Sequence, residues 1–264
     1  MKKKTAMTVI DSRQLAPQIW SLELAYALGE APSEVNPGQF AGIYPDAEDL
    51  LLMRPISICR WDSGRGALRF VYRAAGKGTR TFTRLQPGDS VEMLGILGNG
   101  YDLQALCGKR VVLLGGGIGV PPMLELAAAL QKGGTRATAV LGYRDRDLFL
   151  REEIEEFADV MIATEDGSVG TRGNVLDAVR ENHIEADVFC ACGPLPMLRA
   201  VKQYAQEKGV PAFLSLEERM ACGIGVCLGC VTKTTAPDAH SRVNNARVCV
   251  EGPVFAAEDV TLES

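Results

Sequence analysis

The sequence predicts an antiparallel β-barrel followed by a doubly wound α/β unit and a loop-rich tail, in 264 residues. Three observations carry that prediction. The first hundred or so residues break into short alternating segments at turn signals. Beyond Gly108, apolar strands alternate with helical stretches. Four of the eight cysteines fall beyond residue 221. At roughly 100–200 residues per domain, the chain has room for two domains and a core that needs no staples. The expected boundaries are 1–103 for the barrel, 104–216 for the α/β unit and 217–264 for the cysteine module.

The barrel strands are expected at 5–11, 19–24, 40–44, 54–60, 68–73 and 90–94, where residues alternate in polarity or are β-branched. Asn36-Pro37-Gly38, Asp62-Ser63-Gly64, Pro87-Gly88-Asp89 and Gly98-Asn99-Gly100 separate them as turns. Six short strands at this spacing suit a closed antiparallel barrel, with one short helix at 79–85.

Five strands follow at 110–114, 137–141, 160–164, 188–191 and 212–216, alternating with helices at 122–131, 147–157, 174–181 and 194–208. That alternation marks a parallel sheet covered on both faces. Lys132-Gly133-Gly134 and Lys208-Gly209 read as left-handed helix caps. From Glu217 onward the chain is loop-rich.

Composition narrows the function. Lys plus Arg number 28 against 33 Asp plus Glu, a net charge of −5, which disfavours binding to nucleic acid or an anionic membrane. The start is basic but lacks the apolar run of about 7–15 residues that a secretory signal needs, so a cytoplasmic protein is expected. Residues 111–130 are nearly uncharged, yet Gly115-Gly116-Gly117, Pro121-Pro122 and Glu125 make them a strand, a turn and a helix rather than a membrane span.

Thiols kept reduced point to metal or redox chemistry before disulfides. Cys222-x4-Cys227-x2-Cys230, with Cys249 19 positions on, has the spacing of a plant-type [2Fe–2S] site. A tight loop must aim three thiolates inward while its N–H groups face the sulfurs, and Gly223, Gly225 and Gly229 are expected to supply dihedrals closed to other residues. A structural zinc site would use the same thiolates, although zinc ribbons pair two CxxC knuckles and the second half here has one cysteine. His183 and His240 lie outside the motif, and Cys59, Cys107 and Cys190 read as small buried apolar residues.

In the barrel, Arg54-Pro55-Ile56-Ser57 precedes Val71-Tyr72-Arg73 and Gly76-Lys77-Gly78-Thr79. An arginine forks onto a diphosphate, a serine hydroxyl reaches a flavin ring atom, and the glycine turn opens N–H groups at a helix start. Each fragment alone is weak; their joint occurrence in this order points to a flavin with a diphosphate tail. Gly115, Gly116, Gly117 and Gly119 join a buried strand to a helix, a turn that lets a dinucleotide approach the backbone. Val120 departs from the strict GxGxxG pattern, and Tyr143-Arg144 after the next strand does not exclude a 2′-phosphate. Cys192-Gly193-Pro194 follows a later strand and is expected to face the same crevice.

These motifs, in this order, resemble the ferredoxin–NADP reductase superfamily. The tail 215–230 with Arg247-Val248-Cys249-Val250-Glu251-Gly252-Pro253 is similar to a narrower group, the electron-transfer subunits of NAD-dependent dihydroorotate dehydrogenase. The resemblance implies FAD on Arg54, Pro55, Ile56, Ser57, Val71, Tyr72, Arg73, Gly78 and Thr79, and a [2Fe–2S] cluster on Cys222, Cys227, Cys230 and Cys249. It also implies NAD as the hydride acceptor and an FMN-containing catalytic partner that oxidises dihydroorotate to orotate in pyrimidine synthesis, in a heterotetramer of two copies each. No residue here resembles the base for that oxidation, which is expected on the partner. Two other readings are an electron-transfer subunit of a hydrogenase or ferredoxin-linked NAD(P)H oxidoreductase, and a zinc-stabilised binding module.

Overall fold

The computed structural model describes residues 3–237 and 242–262. Strands β1 (Lys4–Ala16), β2 (Ile19–Ala25), β3 (Phe40–Ile43), β4 (Arg54–Asp62), β5 (Ala67–Arg73) and β6 (Ser90–Leu97) close an antiparallel barrel in the order β1-β2-β5-β4-β3-β6. Alternation explains the closure, because Met7, Val9, Leu22, Leu24, Ile58, Leu68, Phe70 and Met93 all point into one core. Helix α1 (Lys77–Phe82) lies two residues ahead of its expected start and buries Phe82 edge-on against Tyr72, with ring centroids 5.7 Å apart. Helix α2 (Leu103–Leu106), not foreseen from the sequence, is capped by Asp102, whose carboxylate accepts the Gln104 and Ala105 N–H groups.

The second unit runs β7 (Val111–Gly116), α3 (Pro121–Lys132), β8 (Ala137–Tyr143), α4 (Arg151–Glu155), β9 (Ala158–Thr164), β10 (Thr171–Arg172), α5 (Val175–Glu181), β11 (Val188–Cys192), α6 (Leu195–Lys208) and β12 (Ala212–Ser215). The tail adds a hairpin of β13 (Val231–Lys233) and β14 (Asn245–Arg247), then β15 (Val254–Ala256). The sheet order is β10-β9-β8-β7-β11-β12-β15. The five expected parallel strands are therefore extended by two short ones, of which β15 pairs antiparallel with β12 and fastens the tail to the sheet.

Helix α4 begins at Arg151 rather than at residue 147. The Asp145 carboxylate accepts the Asp147 N–H at 3.0 Å, and Leu150 takes a left-handed φ of 65°, so the chain turns before the helix starts. Gly209 caps α6 in the left-handed region (φ 65°), but after α3 that role falls to Gly134 (φ 83°) and not Gly133.

Successive crossovers from β7 run outward to β8 and β9 on one side, while β11 and β12 lie on the other. The crevice above the carboxyl ends of β7 and β11 is thus the topological switch point, where ligands of such sheets bind. One apolar core continues from the sheet (Val112, Phe189, Leu214) into the tail (Cys230, Val248, Cys249) and the barrel edge (Phe40, Met53, Leu97). On the other side of the junction, buried Glu125 of α3 accepts the Trp61 N–H at 2.9 Å and an Arg60 N–H at 3.0 Å. Among the described residues, no helix is long and apolar enough to cross a membrane.

Candidate functional site

Barrel, sheet and tail meet around a cavity of about 250 Å³. Pro55, Ile56 and Ser57 of β4, Val71, Tyr72 and Arg73 of β5 and Thr79 of α1 all line it. Seven of the nine residues expected to hold a flavin therefore share one wall. The other two stand beside each other: a Cβ on Gly78 would overlap the Arg54 guanidinium, which donates to the Leu52 carbonyl at 2.6 Å. The rest of the lining was not foreseen from the sequence. Phe40, Ile118, Leu216, Glu217, Met220 and Pro253 come from distant segments that only the fold brings together.

The cavity fits a flat ring carrying hydrogen-bond acceptors. The Tyr72 hydroxyl is buried and makes no hydrogen bond, and burial pushes its pKa up, so it stays a neutral donor. Leaving such a group unpaired costs about 1–3 kcal/mol, which an acceptor in the cavity would offset. Desolvation raises the carboxyl of Glu217, an exposed residue of the cavity lining, and the Arg73 charge opposes the shift. The larger hollow between α3 and the barrel, about 880 Å³, is lined by charges that already pair, such as Arg60 with Glu125.

The glycine turn lies at the switch point beside Cys192-Gly193-Pro194. A Cβ on Gly116 would overlap the Met197 sulfur, and one on Gly119 would overlap the Cys192 carbonyl. A Cβ on Gly115 would come within 3.1 Å of Val120. These glycines thus let the turn pack against the next strand's exit. Gly117, at φ 54°, is the open one, with an Arg73 nitrogen 3.8 Å from where its Cβ would be. Cys192 is buried, and its thiol is pushed up to about 12 by desolvation and the Glu217 charge, with the Ser215 hydroxyl opposing.

In the cysteine loop, the Cys222 sulfur accepts N–H bonds from Ile224, Val226 and Cys227 at 3.4–3.5 Å, and Gly229 donates to Cys227 at 3.4 Å. Desolvation would raise the Cys222 thiol, yet these donors and the Cys227 thiol together hold it down to about 6. Burial pushes Cys249 up to about 12, aided by its hydrogen bond and charge repulsion with Cys230. Gly223 (φ 67°) and Gly225 (φ 86°) are left-handed as expected, but the third such residue is Leu228 (φ 57°) and not Gly229. Gly229 keeps an ordinary dihedral, and a Cβ there would stand 3.4 Å from the Cys227 sulfur, at ordinary contact distance.

Cys222 interacts with Cys227, and Cys249 with both Cys230 and Cys222, so the four thiols are neighbours. Four neighbouring thiols with N–H groups aimed at sulfur fit an iron–sulfur group. Cys59 and Cys190 are buried as expected, but Cys107 is exposed at the end of α2. His183 is exposed in a left-handed turn, and His240 lies outside the described residues.

Two family models match the chain: the iron–sulfur cluster binding domain of dihydroorotate dehydrogenase B over residues 217–261 and the oxidoreductase NAD-binding domain over 113–203. The electron transfer subunit of dihydroorotate dehydrogenase B (NAD(+)) from Listeria innocua is 43% identical over 261 residues, spanning 98% of this chain and 99% of that protein. The chain belongs to this family. The electron transfer subunit from a Geobacillus species is also 43% identical, over 99% of this chain and 100% of its own length. A solved NADH-dependent reduced ferredoxin–NADP oxidoreductase, described for flavin-based electron bifurcation, superposes with a TM-score of 0.83 at 27% identity over 97% of this chain and 90% of its own. A Malassezia yamatoensis flavohemoglobin shares the fold at a TM-score of 0.68 and 22% identity, over 78% of this chain and 57% of its own.

Proposed function

We propose that this dihydroorotate dehydrogenase B family member carries electrons between a catalytic partner subunit and NAD. The carrying observation is the course of residues 216–222. Leu216, Glu217, Glu218 and Met220 wall the flavin-sized cavity, and Cys222, two residues on, is the first thiolate of the cysteine loop. One short segment thus joins the two redox sites.

In this reading Arg54, Pro55, Ile56, Ser57, Val71, Tyr72, Arg73, Gly78 and Thr79 hold FAD, and Cys222, Cys227, Cys230 and Cys249 hold a [2Fe–2S] cluster. Gly115, Gly116, Gly117, Gly119, Cys192, Gly193 and Pro194 form the NAD crevice. Bound together, these groups supply the conversion between hydride and single-electron transfer that neither nicotinamide nor an iron–sulfur cluster performs alone. The protein places them. Tyr72 offers a hydrogen-bond donor to the ring, Arg73 sets a positive charge between cavity and crevice, and N–H groups around Cys222 favour the thiolate.

The partner is an FMN-containing subunit that oxidises dihydroorotate and carries the base for that step, in a cytoplasmic heterotetramer of two copies each. The exposed apolar side chains Ile224, Val226 and Leu228 at the loop tip support this, because a covering subunit would bury them. The units 1–103, 104–216 and 217–264 then divide the work as flavin, nicotinamide and cluster modules.

Reconstitution with such a partner tests the reading. Dihydroorotate-dependent NADH formation that requires both chains is expected. Failure with that partner, alongside coupling to a reduced ferredoxin, would favour the ferredoxin-linked alternative that the 27%-identical structure represents.

A further inference from the structure

Between the flavin cavity and the cysteine loop stands one side chain that neither site uses. Met53 immediately precedes the Arg54-Pro55-Ile56-Ser57 strand, and its exposure is 1%. It folds back across β3 and reaches the cysteine loop. A Cβ on Gly42 would overlap its sulfur, and a Cβ on Gly223, the residue after Cys222, would overlap its terminal methyl.

Gly42 is informative because its backbone is not in the left-handed region, so no dihedral requires a glycine there. Its register neighbours are Pro55 on β4 and Leu94 on β6, so it sits in the middle of the sheet. A glycine in a strand interior marks the close approach of another group, and here that group is the Met53 thioether. Gly223 adds the second half of the seat, with a Leu97 methyl 3.2 Å from where its Cβ would lie. Phe40 and Leu97, both buried, complete the packing, and Phe40 also lines the cavity. An unbranched, polarisable side chain suits such an irregular gap.

We infer that Met53 is a positioning residue for electron transfer: a wedge seated between Gly42 and Gly223 that fixes the Cys222–Cys230 loop against the flavin-binding strand. It adds no chemical step and touches no reacting atom. The inference rests on the functional reading above. Its content is that the separation and rigidity of the two sites depend on this side chain, through the residue next to the first cysteine.

The test uses the full chain loaded with flavin and cluster, in wild type, M53A, M53L and G42A. G42A displaces the thioether from the barrel side and leaves every cysteine-loop residue unchanged. Anaerobic NADH mixing is followed by flavin absorbance in stopped flow and by EPR of freeze-quenched samples, with iron and acid-labile sulfide measured per chain. Flavin reduction by NADH should keep its wild-type rate in all four proteins. Cluster reduction, normalised to bound iron, should slow severalfold in M53A and G42A, because electron tunnelling falls exponentially with added separation between the two sites. M53L, which conserves volume, should fall closer to wild type.

Wild-type normalised rates in M53A and G42A would overturn the inference. So would loss of iron with an unchanged rate in the loaded fraction, because Met53 would then serve retention alone. A wild-type preparation with neither flavin nor iron would instead overturn the functional reading itself.

Discussion

Two glycine-rich loops, one in the sheet unit and one in the tail, use glycine in different ways. In the turn after β7, Gly116 and Gly119 have ordinary dihedrals and are small because Met197 and the Cys192 carbonyl occupy the space a Cβ would need. In the cysteine loop, Gly223 and Gly225 take positive φ, and the N–H groups of the residues that follow them, Ile224 and Val226, turn toward the Cys222 sulfur. The first loop is shaped from outside, by its neighbours. The second is shaped from both sides, by the sulfur its N–H groups turn toward and by Met53 and Val250, which fill the space a Cβ would need at Gly223 and Gly225. A run of glycines is therefore ambiguous until packing and dihedrals are separated.

The largest effect should come from removing a sulfur. C227S takes away both a proposed cluster ligand and the partner of the Gly229 N–H. NADH oxidation by an artificial two-electron acceptor should survive, while coupled turnover with the catalytic subunit falls to background. Coupled turnover that persisted would take the cluster off the path.

The next comparison sets a strained and crowded glycine against an unstrained one. G225A forces a Cβ onto a residue at φ 86° and against Val250, so iron and sulfide per chain should fall sharply. G229A, at ordinary φ and only 3.4 Å from the Cys227 sulfur, should retain most of its iron. Equal loss in both would show that neither the dihedral nor the crowding at Gly225 sets iron retention.

What could be read in the sequence follows the same division. The Cys222–Cys230 spacing and the order of Arg54–Ser57, Tyr72 and Thr79 are local, so they were visible before folding. The barrel strands were visible because their apolar residues alternate over several positions. Strands β10 and β15 are too short for any periodicity to show. Glu217, Phe40 and Pro253 become cavity walls only through pairing across the chain, as when Phe40 meets Ser57 in register. The late start of α4 depended on one Asp145 side-chain bond competing with the helix.

In the turn after β7, G119A should cost stability and leave iron untouched. Its Cβ would overlap backbone of the β11 exit, so about 1–3 kcal/mol is expected in denaturant unfolding. Unchanged stability would show that this turn is loosely packed.

The smallest effect lies in the helix that the same turn launches. Burial raises Glu125 above 4.5, and the Trp61 N–H and Arg60 oppose the shift. A carboxyl raised in the fold contributes most at low pH and loses that contribution as pH climbs through its folded value. E125Q should therefore gain stability relative to wild type as pH rises from acid toward neutral, by no more than about 1 kcal/mol. A difference that ran the other way would show that the Arg60 pairing outweighs desolvation.

Anaerobic titration of the purified chain with NADH, followed by visible absorbance and EPR, tests the central claim most directly. Bleaching of the flavin band together with the signal of a reduced [2Fe–2S] cluster is expected, without any partner present. Flavin reduction with no paramagnetic iron, in protein shown to contain iron and sulfide, would contradict the account.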